Sequence, residues 1–437
     1  MTHKMTGDRV LRADPLARVE GEGAMKVVVR DGQVADVELN IFEPPRFFEA
    51  LLRGRAWTEP QDITARICGI CPVAYQMSAC QAIEDACGVA VTEEIRRMRR
   101  LLYCGEWIES HALHIYLLHA PDFLGYDGVI EMAGDLREAV ERGLALKKAG
   151  NALMALVGGR AVHPINVKVG GFYRMPTRAE LAGLRPTLLR ARDDAVATAT
   201  WVAGFDFPDF TQTQEYVALR SPNGYPLEGG SVVSSAGRRF DVAQFGDVVV
   251  EQHVARSNAL HAHLDGHTTY VVGPLARYAL NHDQLSPLAQ EVARDAGLGP
   301  ECRNPFRSII VRSVELVYAL DEALRLIDEW DGSAAPSVEI TPRAGIGHGA
   351  TEAPRGMLYH RYELDDDGTI LDAVIVPPTS QNLASIEEDL HGFVQDRLHL
   401  DHDELTLRCE QAVRNYDPCI SCATHFLDLT VESTDRP

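Results

Sequence analysis

Apolar and polar residues alternate from 17 to 41, where Val-rich runs flank Arg30-Asp31-Gly32-Gln33. A two-residue period around an Asp-Gly pair predicts a β-hairpin turning at Asp31-Gly32. The segment EPPRFFEALLRGR then breaks at two prolines and opens a short helix that carries Glu49. After ARICGICP the period becomes helical. Small and apolar residues recur at helical spacing from Val73 to Cys87. A second run begins at Thr92, Glu93 and Glu94, residue types that cap and charge a helix start, and meets no breaker before Pro121. Further helices are predicted at about 129–155, 178–201, 246–264 and 308–330. Late in the chain, GMLYHRYEL and TILDAVIVPP flank DDDG and predict a second hairpin, with Arg355 just before its first strand. The stretches 158–177 and 207–230 are rich in Gly and Pro and read as irregular. Long helices with mixed faces imply a bundle. The expected class is therefore α+β, mainly α: a long-helix core with peripheral N-terminal and late β-hairpins.

Composition narrows the function. The chain has 437 residues, 46% of them hydrophobic, enough for a large core. Its net charge of −21 opposes a phosphate backbone, so nucleic acid is not an expected partner. No apolar run reaches the roughly 18 residues of a membrane helix, and the polar N-terminus lacks a signal peptide's apolar core. A cytoplasmic protein without membrane insertion is expected. Nine cysteines, an odd number in a long chain without a secretion signal, do not form a disulfide framework. Their thiols are expected to be reduced, and closely spaced ones to be ligands.

Two pairs have that spacing. Cys68 and Cys71 stand in ARICGICP, where a two-residue gap turns both sulfurs toward one ion and the following helix start favours thiolates. Cys419 and Cys422 stand in DPCISCATH, far along the chain. Four thiolates suit a structural zinc that clamps distant segments, or a redox-active soft metal. The residues alone leave both open. His111 and His114, three apart on a helix, read as packed and hydrogen-bonded histidines. Cys80, Cys87, Cys104, Cys302 and Cys409 lack paired spacing and read as buried apolar residues.

R-x-C-G-x-C at 66–71 and D-P-C-x-x-C-x-x-H at 417–425 resemble the large, catalytic subunit of nickel–iron hydrogenases. RVEGEG at 18–23, RFFEALLRGR at 46–55, GGRAVHP at 158–164, YVVGPLARY at 270–278, APRG at 353–356 and VPPTSQN at 376–382 extend the likeness over nearly the whole chain. The resemblance implies one large-subunit domain over 1–437, with a hairpin region at 1–45. All four sulfurs would bind nickel. Cys71 and Cys422 would also bridge to an iron that carries cyanide and carbon monoxide.

Glu20 matches the family's proton-relay glutamate, with Cys419 the thiolate that takes the proton first. Arg355, flanked by Pro354 and Gly356, matches the arginine over the open metal position. Thr379 would donate a hydrogen bond to a cyanide. Glu49 and His425 would hold a magnesium ion, and residues 426–437 would be a tail that a maturation endopeptidase removes. Two departures point to the cytoplasmic, bidirectional, NAD- or NADP-linked group that includes the sulfhydrogenases. Tyr75 stands where many members have histidine, and Ser110 where respiratory members place an aspartate beside the arginine. Electrons would then leave through an iron–sulfur small subunit to a flavin-bearing diaphorase subunit. Deazaflavin- or ferredoxin-linked hydrogenases, and an inactive relative resembling a respiratory complex I subunit, are the alternatives.

Overall fold

Thr92 opens the helical run that organises the core: its side-chain oxygen accepts the Ile95 amide at 3.4 Å. The run comprises the helix Glu93–Leu113, a π-helical turn His114–His119 and the helix Ala120–Leu124. Pro121 does not stop it, because a proline in the first turn of a helical segment removes no needed donor. The structure, a computed structural model, describes residues 8–43 and 47–424. His425 and the tail 426–437 lie outside the described residues.

Glycine sets how closely the next helix approaches. A Cβ on Gly150, in the helix Arg137–Gly158, would lie 2.6 Å from the Glu109 amide and 2.7 Å from the Gly105 carbonyl. The helix Ser308–Glu329 is buried along most of its length, between Glu93–Leu113 and Arg178–Ala203. The last of these starts with a reciprocal capping box between Thr177 and Glu180.

The helix Pro72–Cys87, launched directly from Cys71, lies on the strand Gly345–Ala353. A Cβ on Gly347 would fall 2.0 Å from the Ala82 carbonyl, and one on Gly349 2.3 Å from that of Ser78. That strand pairs antiparallel with Gly356–Leu364, and this in turn with Ile370–Val376. The expected late hairpin is thus the second half of a three-stranded sheet. Its first turn, around residues 353–356, carries Arg355.

The N-terminal hairpin is Gly23–Arg30 and Gln33–Ile41, turning at Asp31 (φ +51°) and Gly32 (φ +73°) as the sequence predicts, with Arg9–Ala13 added alongside. Residues 14–22 leave this sheet and meet the far end of the chain. The Ile420 amide donates to the Glu20 carbonyl at 2.8 Å, in a parallel bridge between Glu20 and Cys419.

The helix expected at 246–264 does not form. A short helix, Phe245–Val248, gives way to antiparallel strands Val249–His253 and Leu260–Leu264. Three consecutive β-branched residues, Val248 to Val250, and a turn in which Ser257 donates to the Val254 carbonyl favour pairing over a helix. The 207–230 stretch contains a strand, Glu215–Arg220, in a four-stranded sheet where Tyr270–Val271 pairs with it in parallel. The helices Pro378–Gln395 and His402–Arg414 were not expected. The first begins in the same PPT that the sequence assigns to a strand end, since Pro at the first helical position presets φ.

Gly349→Ala should destabilise the protein by about 1–3 kcal/mol, because the strand must retreat from helix backbone. Gly183→Ala is the control: it lies in the helix Arg178–Ala203 with nothing near its Cβ position, and should be neutral or stabilising by about 0.5–1 kcal/mol. Thermal melts of the two variants give the comparison.

Candidate metal centre

The first thiol pair is held by the start of a helix. Cys71 is the residue before Pro72, and its side chain makes no capping bond, so the sulfur is left for other uses. Glu106, from the helix Glu93–Leu113, does the capping. Its carboxylate accepts the Val73 amide at 2.6 Å and the Ala74 amide at 3.1 Å, satisfying first-turn donors. Burial pushes the Glu106 carboxyl well above its ordinary range, and those two amides pull against it. Cys68 turns back so that its sulfur accepts the Ile70 amide at 3.3 Å.

The second pair is held from three sides. The Cys419 amide donates to Thr379 Oγ1 at 2.9 Å, which leaves the threonine's own proton free for another acceptor. Glu20 Oε2 accepts the Ser421 amide at 3.0 Å and lies 3.2 Å from Cys419 Sγ. Glu43 accepts the Ser421 hydroxyl at 2.8 Å. Asp417 adopts φ +53° and is bound by Arg355, whose Nε donates to its carbonyl at 2.8 Å and Nη2 to its carboxylate at 2.9 Å.

These supports bring four buried sulfurs together. Cys68 Sγ is 3.5 Å from Cys419 Sγ, Cys71 Sγ is 3.6 Å from Cys422 Sγ, and Cys419 and Cys422 are 2.8 Å apart. All four lie within 4.8 Å of one another, none is in a disulfide, and all are buried. Among the described residues no other three His, Cys, Asp or Glu side chains converge in this way. The four thiols cannot all ionise in the absence of a cation. Hydrogen bonds from Cys419, Cys422 and Cys71 hold the Cys68 thiol well below its usual range, while burial pushes that of Cys419 well above. A soft divalent metal would supply the missing charge, so the donor set fits nickel or another thiophilic ion.

A bare zinc clamp needs nothing beyond the sulfurs, whereas here reactive groups surround them. Arg355 is buried, and its Nη1 has no hydrogen-bond partner. Burial works against its charge, but Asp417 and the Cys419, Cys71 and Cys68 thiols hold its pKa well above the ordinary value. Tyr75 is also buried, with an unpartnered hydroxyl whose pKa is raised by burial and by the neighbouring Cys422 and Cys71 sulfurs. Glu49 accepts the Ile375 amide at 2.7 Å and lines a cavity of about 350 Å³ bordered by Ser421, Cys422, Ala423 and Thr424. The magnesium ligand expected at His425 lies outside the described residues.

Sequence reasoning missed Asp417, although it is part of the quoted DPC motif. The carboxylate beside the arginine comes from this position. Ser110 is buried, with its hydroxyl unpartnered. Glu106 was also missed, and nothing local in the sequence marks it. His111 and His114 pack as expected: the first is 3.0 Å from Glu315, and the second contacts the Arg414 carbonyl at 2.9 Å. The five unpaired cysteines are all buried.

Comparison with known proteins places this geometry. The nickel-dependent hydrogenase family model matches residues 46–142 and 264–425. The chain is 34% identical over 430 residues to sulfhydrogenase 1 subunit alpha of Pyrococcus furiosus, covering 95% of this chain and 98% of that protein. It is 28% identical over 475 residues to the NAD-reducing hydrogenase HoxS subunit beta of Cupriavidus necator, covering 96% and 95% of the two chains. Among solved structures, an NAD+-reducing [NiFe]-hydrogenase in the H2-reduced state superposes with a TM-score of 0.86 at 28% identity, over 95% of this chain and 99% of that one. With both thiol pairs joined in one buried cluster, the chain belongs to the nickel-dependent hydrogenase family and is a hydrogenase catalytic subunit.

Proposed function

We propose that the chain oxidises dihydrogen reversibly to two protons and two electrons, and that Cys68, Cys71, Cys419 and Cys422 would hold the nickel, with Cys71 and Cys422 the residues that would also hold the iron. The observation that carries this reading is the 3.2 Å contact between Cys419 Sγ and Glu20 Oε2 at the edge of the thiol cluster. A nickel–iron centre bound there, with cyanide and carbon monoxide on the iron, would supply Lewis acidity toward dihydrogen and redox capacity for its two electrons. Cys419 Sγ receives the proton released, and Glu20 Oε2 carries it away. The amide of Ser421 keeps that carboxylate in reach. Arg355, fixed by Asp417, keeps its free Nη1 as a preorganised positive charge beside the thiol sulfurs. Thr379 and Tyr75 present hydroxyl protons beside the thiols, Ser110 is assigned to the shell behind them, and Pro354 shapes the turn that carries Arg355. Glu49 and His425 would be the side-chain ligands of a magnesium ion, and residues 426–437 would be the tail removed by a maturation endopeptidase.

The electrons leave through an iron–sulfur subunit to a flavin-bearing subunit that reduces NAD or NADP. The similarity to an NAD-reducing hydrogenase supports this acceptor. The small subunit docks beside the first thiol loop. Val162, Ile165 and Tyr173 are exposed there, and the His163 ring contacts the Ala65 carbonyl at 2.6 Å, tying that strip to the cysteine loop. Among the described residues no helix is long and apolar enough to cross a membrane.

Glu20→Gln should lower hydrogen-dependent dye reduction by about 10²–10⁴-fold. Nickel content and the infrared bands of cyanide and carbon monoxide should persist. A variant with wild-type turnover sinks the relay. Zinc without nickel, and no such bands, would sink the metal assignment. Val162→Glu with Ile165→Glu should strip the iron–sulfur subunit during purification while leaving the catalytic chain folded; a complex that survives both changes places the interface elsewhere. The purified complex supplied with H2 should reduce NAD or NADP, and reduction of neither excludes the proposed acceptor.

A further inference from the structure

Arg277 has no exposed surface, yet all five of its N–H groups are matched. Nε donates to Glu315 Oε1 at 2.8 Å, and Nη2 to Glu315 Oε2 at 2.8 Å. Nη1 donates to Glu352 Oε2 at 3.1 Å. The two remaining bonds go to main chain: Nη1 to the Ala353 carbonyl at 2.7 Å and Nη2 to the Pro354 carbonyl at 2.9 Å. The guanidinium also lies over Trp107, 4.4 Å from the ring centroid. A salt bridge serving stability alone needs only the carboxylates. Two of these five bonds instead end on the peptide groups just before Arg355.

The same turn is fixed by close backbone packing. Gly273, at φ +108°, sits where a Cβ would be 2.7 Å from the Arg355 carbonyl, and a Cβ on Gly356 would be 2.9 Å from the Gly273 amide. The helix Pro274–Asn281, which carries Arg277, starts at this contact. Glu352 is pinned in turn: its backbone carbonyl accepts Trp107 Nε1 at 3.0 Å and its second carboxylate oxygen accepts the Leu219 amide at 2.7 Å. The base of the Arg355 side chain is thus set by Arg277, and its tip by Asp417.

We propose that Arg277 is a positioning residue for Arg355, its guanidinium bridging Glu315, Glu352 and the Ala353 and Pro354 carbonyls so that the 353–356 turn holds Arg355 at a fixed height over the thiol cluster. The inference rests on the role proposed for Arg355. A lysine at 277 keeps the buried charge but has three donors on one nitrogen, and cannot span two carboxylates and two carbonyls. Small misplacement of a catalytic group is costly to turnover.

The test uses the complete hydrogenase complex carrying R277K, R355K or both. R277K should bind nickel at the wild-type level, with kcat lowered about 10–100-fold and the KM for H2 within about twofold of wild type. The infrared bands of the iron's diatomic ligands should shift, because the charge near them moves. The double variant should turn over no more slowly than R355K alone, since Arg277 acts through Arg355. R277K with wild-type kcat and unshifted bands would overturn the proposal, as would a double variant in which the two losses multiply. Wild-type turnover in R355K alone would remove the role of Arg355 itself, and with it that of Arg277. Should R277K not accumulate as folded enzyme, Gly273→Ala presses the same turn from its other side without altering a charge. It is held to the same kcat, KM and infrared criteria.

Discussion

Four sulfur atoms within 4.8 Å, shut away from water, form an arrangement that the chain must impose on itself. Each buried thiolate carries a desolvation cost of several kcal/mol, and neighbouring negative charges raise it further. A cation relieves that cost, but only if the sulfurs are already close. The fold meets this condition by fixing each pair independently. A buried carboxylate, Glu106, caps the helix behind Cys71. Thr379, Glu20 and Glu43 hold the segment around Cys419. Cys68 and Cys419 are 351 positions apart, and neither support depends on the other pair.

Charges buried in the bundle are arranged to the same end. Arg99 and Glu84 pair at 2.5 Å while Glu84 also accepts the Gly170 amide, and Arg414 binds Asp122 with 2.7 and 2.9 Å contacts. Such pairs give little net stability over apolar replacements of like volume. What they provide is definition, since a buried arginine must place its donors on particular acceptors. Trp107, Arg277, Glu315 and His111 form one such group inside the helices, and the network reaches the Arg355 turn without an intervening flexible loop.

The parts of this structure legible in the sequence are those with a local signature. The Asp31-Gly32 turn, the capped helix at Thr92 and the two cysteine pairs each announce themselves within a few residues. The late sheet was half legible, because Gly345–Ala353 is glycine-rich and its strand character comes from lying on a helix more than 250 residues earlier. The helix expected at 246–264 failed where three adjacent β-branched residues overrode a periodic apolar pattern. Arg277 and Glu106 were not legible as site residues. Their significance lies in acceptors and donors supplied by distant segments, and a buried charge looks the same in sequence as a solvated one.

The bridge between Glu20 and Cys419 has a consequence in time. The two residues stand 399 positions apart, and each supports the other through both main chain and side chain. During synthesis the Glu20 carboxylate therefore emerges long before the sulfur it contacts. For that interval Cys68 and Cys71 exist without Cys419 and Cys422, so the four-sulfur cluster cannot form before this last described segment is made. Cluster completion is thus tied to the end of synthesis, although the first pair and its supporting helix are encoded near the start.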